Sequence, residues 1–486
     1  MRGRQAFNPF LPSDVYIADG EPHVFDGRVY VFGSHDAEGG DSYCMLDYTF
    51  WSAPVDNLAD WSCPGVSYSA SQDPLCRGDM RYMYAPDVVR GNDGRYYLYY
   101  CLAGWKGKGG YSNPISVAVC DTPDGKYKYL GVVRNPDGTP YLGFICFDPA
   151  VMNDDGTIRL YFGTGPFRAM TVERHNAWIL SRVYSSVFSK PADAFLKTPG
   201  PLGANTAVLL DDMLTLASEP VRILPEKPKG TPFAGHSFFE ASSIRKIGRK
   251  YYFVYSSERN HELCYAVSDY PDKEFVYGGA IVSNGDIGIN GRKEKDRLNT
   301  TATTHGSIEC INGQWYVFYH RITHGSDYSR QMCAEKIIIQ PDGSIKQAEM
   351  TSCGLNEGAL SGVGIYPAAI CCNLTNGHMP HTSNGRRRNI PMVSHMDNER
   401  FVSDAKKGTR IVLKYFNLSE TKEITVTARG RGVVEIFFGG RLMGSIRADS
   451  ESWTGKTVSA TGGEDNSEIC LRVTKGKIDI FSLELK

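Results

Sequence analysis

Five ionisable residues head five copies of one pattern. Asp19 opens DGEPHVFDGRVYVFGSHD, Asp87 opens DVVRGNDGRYYLYY, Asp148 opens DPAVMNDDGTIRLYFGTG, Glu240 opens EASSIRKIGRKYYFVYSS and His305 opens HGSIECINGQWYVFYHR. The following turn glycine (Gly27, Gly94, Gly156, Gly248, Gly313) lies eight residues on in four copies and seven in the copy led by Asp87. If the heads of the repeats converge, four carboxyls and one imidazole share a pocket, more unpaired acid than stability alone retains. Any one of these aspartates could instead cap a turn. Two carboxyls on either side of a substrate are the minimal equipment for glycoside hydrolysis, one protonating the leaving oxygen and the other activating water or attacking carbon. No GxSxG elbow, HExxH motif or phosphate-cradling glycine loop competes for the assignment.

Each copy has the form of a β-hairpin: two alternating apolar and aromatic runs around a turn such as Asp26-Gly27, Asp93-Gly94 or Asp155-Gly156, pairs that supply the positive φ of tight hairpins. The leading residues are 68, 61, 92 and 65 positions apart, lengths suited to a blade of four short strands with its loops. The pattern predicts an all-β chain, a five-bladed β-propeller over residues 1–345, with an insertion among residues 186–230. In a propeller the innermost strand of each blade starts near the axis, which brings the five heads to one funnel. Beyond residue 345 the repeat stops. The runs EITVTARG, GVVEIFFGG, EICLRVTKG and KIDIFSLELK then predict a linker and a small antiparallel β-sandwich over 346–486.

Composition agrees with this class. The 486 residues exceed a comfortable single core, and 28 Tyr, 22 Phe and 51 Gly suit many short strands and tight turns. With 53 basic and 54 acidic residues in no long single-sign run, a neutral partner is expected, neither nucleic acid nor a membrane. The N-terminus, MRGRQAFNPFLPSD, has no apolar signal stretch, and no run of 18 apolar residues occurs. The 13 cysteines are odd in number, lack CxxC spacing and fall partly in apolar runs (Cys101, Cys120, Cys146, Cys310, Cys470). They read as reduced core residues of a cytoplasmic protein.

The segments NPFLPSDVYIADGEPHVF, YAPDVV, FDPAVMNDDG, FFEASSIRK and THGSIECINGQWYVFYHR, in that order through residues 8–345, resemble glycoside hydrolase family 43. The resemblance implies a five-bladed propeller that hydrolyses α-L-arabinofuranosides or β-D-xylosides with inversion, removing terminal pentoses from plant polysaccharides or oligosaccharides. It further implies that Asp19 is the general base, Glu240 the general acid, and Asp148 the group that raises the acid's pKa and orients it. The family shows Asp-Pro at the base where this chain reads Asp19-Gly20-Glu21-Pro22, so Glu21 is a rival base. His305 resembles a histidine that helps hold a calcium or sodium ion at the propeller centre, largely through water; no organic cofactor is implied. Asp87 is expected in the pocket or supporting a strand end, Tyr84 and Phe147 as an aromatic face for the sugar, and Arg330 as a ligand for sugar hydroxyls.

The C-terminal strands resemble carbohydrate-binding module family 6, with Trp453 a candidate sugar platform or a packed core residue. Two other readings remain: a non-catalytic sugar-binding propeller, which has no use for both a protonated and an ionised carboxyl, and a phosphorylase, which needs a basic phosphate pocket.

Overall fold

The computed structural model describes residues 5–166, 176–381, 389–397 and 399–486. Five antiparallel sheets follow one another in chain order. Their innermost strands are Ile17–Phe25, Tyr82–Arg90, Ala150–Asp154, Phe238–Ile247 and Gly306–Ile311, and each pairs with the next strand of its own hairpin. The sequence pattern dictates these hairpins directly: Asp26-Gly27, Asp155-Gly156 and Asn312-Gly313 have positive φ at both positions, whereas at 94 and 248 only the glycine does.

Buried side chains gather between the sheets. One cluster joins Tyr30 and Phe32 of blade one to Val88, Leu98 and Tyr100 of blade two. Others join blades two and three through Tyr99, Val117 and Leu160, three and four through Tyr161, Phe238 and Phe253, and four and five through Val254, Tyr265 and Val317. The fifth, with Ile17, Val31, Phe318 and Met332, packs blade five against blade one and closes the ring. Because each blade is wedged between two neighbours, the strand ends at the axis are held from both sides. The N-terminal segment strengthens the closure, since Asn8 donates to Ala334 O (2.9 Å) and accepts from Ala334 N (3.0 Å) on the outer strand of blade five.

The insertion lies earlier than the sequence reading placed it. Residues 203–209, which include part of the AVLL run, form the third strand of blade three, Gly203–Leu209. The extra chain precedes that strand and contains an α-helix, Ala177–Phe188, whose Tyr184 and Phe188 are buried against Phe195 and Tyr111. Proline and glycine marked loops, but the helix carried a stronger period that the reading missed.

From Leu360 onward nine strands form one further sheet. EITVTARG and GVVEIFFGG, read as separate runs, are one strand, Glu423–Phe438, and the last two runs likewise merge into Ser467–Leu485. Irregular pairing near Ala428/Gly430, with Gly430 at φ 101° and Gly476 at φ 76°, lets these long strands bend without ending. Both halves of each strand feed one core, Ile424, Val426, Val434 and Ile436 meeting Leu471, Val473, Ile480 and Leu483. Trp453 is half-buried, its ring 5.3 Å from Phe401 and 5.5 Å from Phe481 with the Arg429 guanidinium 4.4 Å above it.

Candidate active site

A left-handed residue lies in or just before four of the five innermost strands: Asp19 (φ 53°), Ala85 (φ 39°), Asp148 (φ 43°) and Ala241 (φ 67°). Strand pairing slips at the same level, between Ala18 and Glu21, Tyr84 and Asp87, and Glu240 and Ser243. Such bulges re-aim the side chains beside them, and non-glycine residues hold a left-handed backbone only where the surroundings enforce it. At Asp19 the enforcement is visible. Its N–H donates to His320 Nδ1 (3.1 Å), and His320 Nε2 is 3.0 Å from Thr303 O, which assigns the proton to Nε2. At blade four, Asp148 Oδ2 accepts from Ala241 N (2.9 Å), fixing the backbone next to Glu240.

Asp19, Asp148 and Glu240 line one cavity of about 330 Å³. Tyr84, Phe147, His305 and Arg330 also line it, as do Tyr43, Lys106, Tyr111, Phe239, Asn260 and Thr303. Tyr84 and Phe147 stand 6.2 Å apart and Tyr111 packs 4.6 Å from Phe147, an apolar wall of the kind that receives a sugar face. A larger cavity, about 460 Å³, lies where the C-terminal sheet meets the N-terminal segment, but among the described residues Glu399 is the only acid that lines it. It lacks the paired carboxyls that the chemistry needs.

Electrostatics separate the three acids. Burial pushes the Asp19 carboxyl up, but the Arg330 guanidinium, then His320 and His305, outweigh it and hold Asp19 well below the usual carboxylate range. Arg330 Nη1 donates to both Asp19 oxygens (2.7 and 2.9 Å). Burial, and next the negative charge of Asp19, push Glu240 up to about 8, with Arg330 opposing. Asp148 is driven up by burial, then by Glu240 and Asp19. At neutral pH the cavity thus holds an ionised Asp19 facing a protonated Glu240. Asp148 and Glu240 are coupled: each disfavours the ionised form of the other, and the negative charge of Asp19 adds to the repulsion that both meet.

Arg330 was expected to bind sugar hydroxyls, but its donors are taken. Besides Asp19, Nε reaches Asp36 Oδ2 (2.8 Å), and Nη2 reaches Asp36 Oδ1 (2.9 Å) and Cys44 Sγ (3.4 Å). Each of the three guanidinium nitrogens thus has a protein partner. Arg330 keeps Asp19 charged.

Asp87 and Glu21 lie outside the cavity wall. Asp87 is fully buried; its Oδ2 accepts from Val151 N (2.7 Å) and its Oδ1 from His23 Nε2 (2.7 Å), which staples blade two to blades three and one. Its glycine offset of seven instead of eight was the signal. Glu21 is 1% exposed and accepts from Ser243 Oγ (3.1 Å) and Arg245 Nη2 (3.1 Å). Burial pushes it up to about 8, against Arg245 and with Asp87.

His305 is 5% exposed, with Nδ1 3.7 Å from Asp148 Oδ2 and 3.8 Å from Asp19 Oδ1. Burial lowers it to about 4, against the charge of Asp19, so its ring is neutral and offers a lone pair. Among the described residues the clusters with three potential ligands are Glu21/His23/Asp87, His236/Glu262/Cys264 and Glu38/His324/His395, none of which includes His305. The residues present therefore fit an ion touched by one imidazole and otherwise by water, not one caged by protein.

Sequence reasoning missed Tyr43, Lys106, Tyr111, Asn260, Thr303 and the anchor Asp36. Lys106 (φ 54°) sits in the glycine-rich LAGWKGKGG loop of blade two, whose backbone freedom was the available signal.

Comparison with known proteins agrees with this geometry. The family model of glycosyl hydrolases family 43 matches residues 25–196. A xylosidase/arabinosidase of Thermoclostridium stercorarium is 43% identical over 473 residues, 93% of this chain and 92% of the relative. The crystal structure of a GH43_1 enzyme from Xanthomonas citri complexed with xylose superposes with a TM-score of 0.53 at 26% identity, covering 71% of this chain and 93% of that one. CoXyl43, a β-xylosidase/α-arabinofuranosidase from a compost metagenome described in a calcium-free form with xylotriose, gives 0.53 at 27%, covering 71% and 98%. The site and fold define a propeller-type glycoside hydrolase. The chain belongs to glycoside hydrolase family 43.

Proposed function

We propose that this enzyme removes terminal α-L-arabinofuranosyl or β-D-xylosyl residues from plant polysaccharide fragments, with inversion, using Asp19 as base and Glu240 as acid. The observation that carries this reading is the pair of buried carboxyls held in opposite protonation states around one small cavity. Asp19 accepts a proton from the water that attacks the anomeric carbon. Glu240 delivers its proton to the departing oxygen. Asp148 positions the acid through Ala241 N–H, and Tyr84 and Phe147 supply the apolar wall. A cavity of about 330 Å³ suits a single pentose ring and hence action at chain ends. The names of the relatives point to the same two pentosides.

A calcium or sodium ion at the axis would be held by His305 and water and would add positive charge beside the carboxyls. The calcium-free form of a related structure supports an ion that can be removed. The division into a propeller through residue 345 and a β-sandwich domain from 346 is supported by the strand pairing, in which the last propeller strand ends at Ile337 and the nine-stranded sheet begins at Leu360. A relative from Humicola insolens, aligned over 97% of its own length, corresponds to 69% of this chain. Thirteen free cysteines, eight of them buried, support a reducing, cytoplasmic location.

The test is pentose release from p-nitrophenyl β-D-xyloside and α-L-arabinofuranoside and from xylo-oligosaccharides, with and without phosphate. Free pentose of inverted configuration, independent of phosphate, is the expected product. A sugar phosphate would make the enzyme a phosphorylase, and no turnover of any pentoside would leave a binding propeller.

A further inference from the structure

The C-terminal domain grips the catalytic funnel at one polar cluster. Arg400 is buried on the hairpin Met392–Met396/Glu399–Lys406, and its Nη2 lies 3.0 Å from each oxygen of Glu38. His395 of the same hairpin adds a contact from Nδ1 to Glu38 Oε1 (3.1 Å), and Tyr16 Oη donates to that oxygen (2.7 Å). Glu38 thus sits under a two-residue clamp from the other domain. The cluster also contains His324, and two imidazoles with a carboxylate suggest a metal site. Arg400 and Tyr16 already occupy the carboxylate, and a guanidinium at that distance opposes a cation, so the arrangement is a clamp.

What the clamp holds gives it a role. Glu38 belongs to the segment that follows the strand Arg28–His35 and carries Asp36, Tyr43 and Cys44. Asp36 takes two donors of Arg330, and Arg330 holds Asp19. The same hairpin pins the neighbouring segment of blade five, since Val393 N donates to Thr323 O (3.0 Å), and that segment leads to Tyr328 and Arg330. Tyr328 meets Tyr43 edge-on at 4.7 Å, which joins the two segments beside the cavity.

We propose that Arg400 is a positioning residue for the hydrolytic reaction, acting from the C-terminal domain through Glu38 to fix the Asp36–Arg330 pair that holds Asp19. The C-terminal domain then completes the active site without touching substrate. This inference rests on Asp19 being the base, and the experiment separates the two. Asp19→Asn tests the base; Arg400→Met, Arg400→Lys, Glu38→Gln and the Arg400→Met/Glu38→Gln double variant test the clamp.

Steady-state kinetics on the full chain, well below each variant's melting temperature, are expected to show kcat reduced about tenfold in Arg400→Met with KM within about twofold, because a small displacement of a catalytic group lowers turnover more than binding. Arg400→Lys should recover part of the loss, and the double variant should be no slower than the slower single variant. If Arg400→Met fails to fold, Glu38→Gln and Arg400→Lys carry the same test through the kcat and KM split. Folded variants with wild-type kcat, a loss confined to KM, or losses that multiply in the double variant would overturn the proposal while leaving the role of Asp19 intact.

Discussion

Two tiers of acid lie along the propeller axis. The upper tier, Asp19, Asp148 and Glu240, faces the cavity; the lower, Glu21 and Asp87, is sealed among Ser243, Arg245, His23 and Val151. Burial alone does not distinguish them, since Asp19 is 5% exposed and Glu21 1%. The difference is what their oxygens do. Asp87 spends both oxygens on neighbouring blades, whereas Glu240 lines the cavity and Asp19 carries a charge held in place by one arginine. An axial carboxyl is available for chemistry when it lines the cavity, as Asp19, Asp148 and Glu240 do, and is structural when neighbouring blades seal it away from that cavity.

The widest contrast is between Asp19 and Glu21. Asp19→Asn removes the base and should lower kcat/KM by about 10²–10⁴. Glu21→Gln replaces a carboxyl already held neutral near pH 7 by a neutral isostere, and kcat/KM should stay within about threefold. If Glu21→Gln proves the more damaging, the rival base was correct.

Arg330→Met tests the charge that sets Asp19 apart. Its loss raises the Asp19 pKa, so activity that needs ionised Asp19 should fall first on the acidic side and the acidic limb of kcat/KM should move upward; because Arg330 also opposes the rise of Glu240, the alkaline limb, near 8 in the wild type, should move upward too. Activity at neutral pH should drop roughly 10–10²-fold, the scale of a misplaced or partly protonated base. An unmoved acidic limb would mean that Arg330 serves the sugar after all.

In the lower tier the effect should appear in stability. Asp87→Ala strands Val151 N–H and His23 and should cost about 2–4 kcal/mol, read as a lower urea midpoint, with kcat per folded molecule little changed. The smallest effect is the reverse of this. The raised pKa of Glu240 means that the folded state disfavours its ionised form, a penalty present above the unfolded carboxyl pKa and largest above about 8. Glu240→Gln should therefore melt a few degrees higher than wild type at pH 8 and lose that advantage near pH 4.

The two tiers were unequally legible in the sequence. The repeat and its glycine offsets placed Asp19, Asp148, Glu240 and His305 in one cavity, because strand period and turn chemistry are local. Asp87 was brought to the same funnel or to the support of a strand end, and the structure gives it the second place, bonded to Val151 N and His23. The partners were not legible. Arg330 and His320 reach Asp19 from other segments of the chain, and only the closed ring shows that Asp36 and Cys44 anchor Arg330. The merged C-terminal strands escaped for another reason: Gly430 and Gly476 read as strand ends, yet they serve as bends.

The division of labour between Asp19 and Glu240 is tested most directly by leaving-group dependence. Comparing 2,4-dinitrophenyl β-D-xyloside with xylobiose, Glu240→Gln should lose little on the activated ether, which needs no proton, and at least about 10²-fold on the disaccharide. Asp19→Asn should lose similar factors on both. Leaving-group sensitivity that follows Asp19→Asn, or equal losses for Glu240→Gln on both substrates, would contradict the assignment.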